Sequence, residues 1–104
     1  MMTPKETATA TVEKFFELLG CKEEILDDWE RRGLINGWVW DYQDRCTISA
    51  TSFKYSPGTI HVNVYDLKDD AERDDILSVR KTGPELAAKF TQEAINAYEK
   101  ELGE

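Results

Sequence analysis

The chain has 104 residues, enough for one domain and too few for two. With 40% hydrophobic residues, three Trp, four Tyr and four Phe, it has the core anchors that a disordered chain lacks. Its net charge of −8 argues against direct binding to nucleic acid or to an anionic membrane surface, both of which need clustered cations, and favours a basic partner.

The first element is a helix. Thr3-Pro4-Lys5-Glu6 spells a capping box with proline at its first helical position, and Ala8, Val12, Phe15, Phe16 and Leu19 then share one face. Gly20 supplies a left-handed C-terminal stop. The spacing predicts a second helix over 22–32, with Ile25, Leu26 and Trp29 as its apolar stripe. Acidic residues stand at its start, Arg31 and Arg32 at its end, and Gly33 terminates it.

The period then changes to two. Trp38, Trp40 and Tyr42 alternate with Val39, Asp41 and Gln43, which predicts a strand with one aromatic face. Packed under the helices, that face would join Phe15, Phe16 and Trp29 in the core, since the opposite side is polar. Left uncovered, Trp38, Trp40 and Tyr42 would be partner-binding residues, because Trp and Tyr dominate interface hot spots. A turn at 43–45 leads to a second strand over 46–55. Ser56-Pro57-Gly58-Thr59 reads as a type II turn, and Thr59 to Tyr65 as a third strand. Ile60, Val62 and Val64 face one way there, and His61, Asn63 and Tyr65 the other.

From Asp66 to Asp75 six residues are acidic and two basic, which reads as an exposed loop. Ile76 to Lys81 is expected to form a short fourth strand. Thr82-Gly83-Pro84-Glu85 repeats the T-x-x-E start of a helix, with Leu86, Phe90, Ala94, Ala97 and Tyr98 along its apolar face, widened by Ala87, Ile95 and Leu102. The expected class is therefore α+β: a three- to four-stranded antiparallel meander packed against helices, in the order α-α-β-β-β-β-α, as a single acidic domain over 1–104.

Chemistry-bearing motifs are absent. There is no Gly-rich phosphate loop, Walker motif or nucleophile elbow, and one histidine. Cys21 and Cys46 form no CxxC pair and read as free thiols of a reducing compartment. The first eleven residues show no cationic start followed by an apolar run, and no stretch nears the ~20 apolar residues of a membrane span, so a cytoplasmic location is expected. The acidic run lacks the spacing and glycine of an EF-hand, and neither metal nor cofactor is expected.

Two functional readings follow. The first is a non-enzymatic protein-interaction module, an inhibitor, adaptor or negatively charged mimic. It would engage a basic surface through Asp69, Asp70, Glu72, Asp74 and Asp75 with Trp38, Trp40 and Tyr42; self-association as a homodimer is a variant of it. The second is a small-molecule-binding domain or small enzyme, with a pocket between sheet and helix lined by His61, Asn63 and Tyr65. A two-residue loop at the preceding turn would place Lys54 opposite His61.

Overall fold

A computed structural model describes residues 2–67 and 73–103. Helix α1 (Pro4–Leu18) is followed by strands β1 (Ile25–Trp29), β2 (Leu34–Tyr42), β3 (Cys46–Phe53), β4 (Ser56–Leu67) and β5 (Arg73–Thr82), then helix α2 (Pro84–Leu102). The strands form one antiparallel meander in sequential order, and both helices pack on the same face of it. The α+β class is as the sequence reads; the element order is α-β-β-β-β-β-α.

The expected second helix is replaced by β1 and one 3₁₀ turn at Glu30–Arg32. Ile25 pairs with Trp38 and Trp29 with Leu34, so the segment is the outer arm of a hairpin. Apolar residues at 25, 26 and 29 suit a helix stripe, yet all three are exposed and the segment's backbone pairs with β2 instead. Asp27 and Asp28 are also poor helix formers. Gly33 takes the left-handed conformation (φ 64°) in either reading, so it cannot separate them.

The capping box at the start of α1 is made. Thr3 Oγ1 accepts from the Glu6 amide, and Glu6 Oε1 accepts from the Thr3 amide. The second T-x-x-E is not: Gly83 is the N-cap of α2 and no side chain caps it. The type II turn over 56–59 is also overturned. The chain reverses at Lys54 and Tyr55, and Pro57 and Gly58 lie inside β4 beside a register irregularity. Pro57 has no register partner on β3 or β5, so its missing N–H breaks no ladder bond, and its carbonyl oxygen accepts from the hydroxyls of Thr11 and Ser52. The register consequently sets Thr51, not Lys54, opposite His61.

The core lies between the helices and the strand residues Ile35, Val39, Ile48, Ala50, Ile60, Val62 and Val64. Phe15, Phe16, Val12 and Ala8 of α1 enter it fully buried, as do Ala87, Thr91 and Ile95 of α2. In α2 the small residues face inward and let the helix sit close, while Leu86 and Phe90 of the expected stripe are exposed at its flank. The Lys81 ammonium covers the Phe90 ring at 4.0 Å. The Thr91 hydroxyl is buried without a hydrogen-bond partner among the described residues. Thr91→Val keeps the shape and removes that hydroxyl. The variant is expected to gain about 1 kcal/mol, read as a higher denaturant midpoint at unchanged slope.

At the far end of this layer, α2 is pinned to the sheet by a phenol. The Tyr98 hydroxyl donates to Asp66 Oδ2 at 2.6 Å and lies 3.3 Å from Asp74 Oδ2. That hydrogen bond first, then burial and carboxylate charge, push the phenol pKa above its ordinary value of 10.0. The folded state thus holds this proton more tightly than the unfolded chain. The stabilisation is complete below about pH 10 and is lost as pH rises through the folded-state pKa. Tyr98→Phe is expected to cost about 1.5 kcal/mol at neutral pH, and the gap between variant and parent should close in alkaline denaturant titrations.

Candidate interaction surface

Among the described residues no helix covers the second face of the sheet. The strand register arranges it in rows across the strands. One row runs Ile25, Trp38, Ser49, Asn63, Ser78; the next runs Asp27, Asn36, Thr51, His61, Arg80. A third contains Thr47, Tyr65 and Asp75, and a fourth begins with Trp29, Leu34 and Phe53.

The aromatic strand divides between the two faces. Trp38 and Trp40 project from the uncovered face with their rings stacked, centroids 6.2 Å apart and planes 13° from parallel. Trp40 is 37% exposed and Trp29 48%, so the expected Trp core is overturned. The cause is Gly37, on the helix side of β2: a Cβ there would lie 2.7 Å from Val12 Cγ1 and 2.8 Å from Phe16 Cε2. The side of β2 with no side chain at that point is the one α1 can approach. Tyr42 leaves the other two aromatics because the register shifts between Val39 and Tyr42, with Asp41 at φ 56°. Its ring is buried on the helix side, and its hydroxyl lies 3.0 Å from both the Leu19 carbonyl oxygen and Gln92 Oε1.

The centre of the uncovered face is polar and internally bonded. Asn36 Nδ2 donates to Ser49 Oγ at 3.2 Å and to Thr51 Oγ1 at 2.7 Å, and Ser78 Oγ donates to Asn63 Oδ1 at 2.9 Å. Asn36 and Ser49 are buried despite the missing helix layer, which holds the floor rigid. Arginines stand around it. Arg32 lies 5.6 Å from the Trp29 ring centroid and Arg73 4.8 Å from that of Tyr65, while Arg73 Nε also pairs with Asp75 Oδ1 at 3.0 Å.

Two depressions share Trp38 and Ser49. One of about 440 Å3 reaches over Asn63 and Tyr65 to Arg73 and Asp75; the other, of about 250 Å3, reaches back to Trp29 and Arg32. Together they make a groove crossing the sheet. Among the described residues the pocket expected around His61 between sheet and helices is not formed: the facing side chains of the core are packed, and His61, Asn63 and Tyr65 lie on the opposite face. Asn63 and Tyr65 line the groove, whereas His61 does not.

Of the acidic residues singled out in the sequence, Asp69, Asp70 and Glu72 lie outside the described residues. Asp74 faces Tyr98 on the helix side, and Asp75 holds Arg73. Both are structural partners as well as surface charges. Asp28 of β1 pairs with Lys5 at 2.9 Å and Lys54 at 2.8 Å, and the Lys54 and then Lys5 bonds hold its carboxyl below the usual range. Cys21 and Cys46 are free thiols; burial, then Asp66 and Glu99, push Cys46 up to about 11, so neither its reactivity nor its position suggests chemistry.

No protein-family model, curated protein or solved structure matches the chain. Among the described residues no helix is long and apolar enough to cross a membrane, and no three of His, Cys, Asp and Glu converge to hold a metal ion.

Asn36, Ser49, Arg73 and Arg80 were not singled out from the sequence. Each is an ordinary polar strand residue until the register puts Ser49 opposite Trp38 and brings Asn36 and Arg80 into one row of the uncovered face, and Arg73 covers Tyr65. Alternation in 34–40 was the available signal, since it already separates Asn36 and Trp38 from Ile35 and Val39.

Proposed function

We propose that this chain is a small acidic, non-enzymatic interaction module that binds a basic protein through the uncovered face of its sheet. The observation that carries this reading is the exposure of Trp29 and Trp40, beside half-buried Trp38 and Tyr65 and with Arg32, Arg73 and Arg80, on a face that no helix covers among the described residues. Trp, Tyr and Arg are the residues most enriched in interface hot spots. The available plane has the right size. Five strands at ~4.8 Å spacing, over about eight residues at ~3.4 Å rise, make roughly 650 Å2, close to the ~800 Å2 each partner contributes to a standard interface.

Charge plays a separate part. Acidic residues lie on the helices and along β1, and Asp27 and Asp75 stand on the uncovered face itself, beside Trp29 and Tyr65. They supply the long-range field that speeds encounter with a basic protein and makes binding salt-sensitive, while the aromatic face supplies the short-range affinity.

The test is capture from a lysate of the source cells on two columns, one bearing the parent protein and one Trp38→Ala. A basic protein should be retained by the parent, elute at moderate salt, and be lost from the variant column. Equal retention on both columns, or retention unmoved by salt, contradicts the reading. A second reading, a small-molecule site, draws on the groove over Asn63 and Tyr65. It predicts a metabolite that shifts the tryptophan fluorescence of the parent and not of Trp38→Ala, with no protein retained.

A further inference from the structure

We infer that β1 is an acceptor edge, at which an extended basic segment of the partner adds as a sixth strand. This rests on the interaction reading above and adds to it the place and the chemistry of one contact. The sheet has two edges, and they differ. β5 carries a register irregularity and mixed charges, Arg73, Asp74, Asp75, Arg80 and Lys81, the features that discourage pairing. β1 pairs with β2 without interruption over all its five residues, contains no proline, and is exposed at every position. Its outward backbone groups are therefore regularly spaced and open to another strand.

Charge selects the occupant. Five of the eight residues from 23 to 30 are acidic and none is basic. Two copies of this edge repel one another, which excludes the simplest self-pairing, while a cationic strand is attracted. Position refines this. Ile25, Asp27 and Trp29 point to the uncovered face, and Leu26 and Asp28 to the helix side. Asp28 is already held by Lys5 and Lys54. Among the described residues Asp27 makes no such ion pair, and it sits between the exposed apolar side chains of Ile25 and Trp29. The complementary strand therefore carries Lys or Arg opposite Asp27 and apolar residues two positions away on both sides. That pattern reads the same in either strand direction.

The probe is the blocked heptapeptide KVTRTVK, titrated into the full chain while backbone amide shifts are followed. Binding should perturb the amides of Ile25–Trp29 first. Two derivatives test strand pairing directly: one N-methylated at its second, fourth and sixth residues, the other at its third and fifth. Successive amides of a strand point to opposite edges, so one derivative should bind like the parent peptide and the other at least ~30-fold more weakly. Replacing the central Arg by Glu should weaken binding at least ~10-fold. Equal effects of the two methylation phases, no binding at about 1 mM peptide, shifts confined to β5 or the sheet centre, or tighter binding of the Glu peptide would each overturn the inference. If it fails while a captured partner is still lost on Trp38→Ala, the interaction reading stands without the edge. If peptide pairs at β1 while capture is indifferent to Trp38, the edge stands and the aromatic face does not.

Discussion

Gly37→Ala is expected to lower stability by about 1–3 kcal/mol, although it adds a single methyl group and improves strand propensity. The methyl would fall within 2.8 Å of Val12 Cγ1 and Phe16 Cε2, both on fully buried side chains of α1 with no room to retreat. The helix must shift outward or the rings leave their rotamers. Phe16→Ala, which empties the same place, is expected to cost about 3–5 kcal/mol through lost burial and the cavity left behind. The pair should not be additive: in the Phe16→Ala background the new methyl finds space, so the double variant should be less destabilised than the sum of the two. Denaturant titrations of the four proteins measure this. An additive result would mean that α1 does not seat on Gly37.

Trp38→Ala is expected to weaken the partner roughly 30-fold, the effect of losing about 2 kcal/mol at a hot spot. Trp38 stands where the two halves of the groove meet, stacked on Trp40 and adjacent to the buried Ser49. Removing it opens the centre of the surface, where water exclusion matters most, and leaves the helix-side core intact. Titration of the captured partner should show a faster dissociation rate, with circular dichroism and the unfolding slope unchanged. Asp27→Lys should act differently, slowing association and flattening the salt dependence. Asp74 and Asp75 are poor sites for such a charge test, because one faces Tyr98 and the other pairs with Arg73. A Trp38 variant with unchanged affinity would place the interface elsewhere.

The first helix was legible because its signals are local: a cap three residues from its partner, and apolar residues at helical spacing. The strands through 38–42, 46–53 and 59–65 were legible for the same reason, although the second was expected to run on to Tyr55, where the chain turns, and so were the left-handed glycines at 20 and 33. β1 was not. Apolar residues at 25, 26 and 29 fit a helix stripe and a short edge strand equally well, and only pairing with Leu34–Trp38 decides between them. The pocket assigned to His61 failed on the side of the sheet, although the alternation that grouped His61 with Asn63 and Tyr65 was read correctly.

The amino-acid order by itself determined the α+β class with a meander, where the first helix starts and stops, and that the central strands have two unlike faces. Tertiary structure decided which face is which. Alternation distinguishes Trp38 and Trp40 from Gly37 and Val39, and it cannot say which pair meets a helix. The larger aromatics bury more area and would win on hydrophobicity alone. The choice went to the side with Gly37, because a helix needs close approach to the sheet before its side chains can fill the space between them. That steric requirement involves residues 21 to 25 positions apart in the chain, Val12 and Phe16 against Gly37, and leaves the tryptophans outside as the surface on which the proposed function rests.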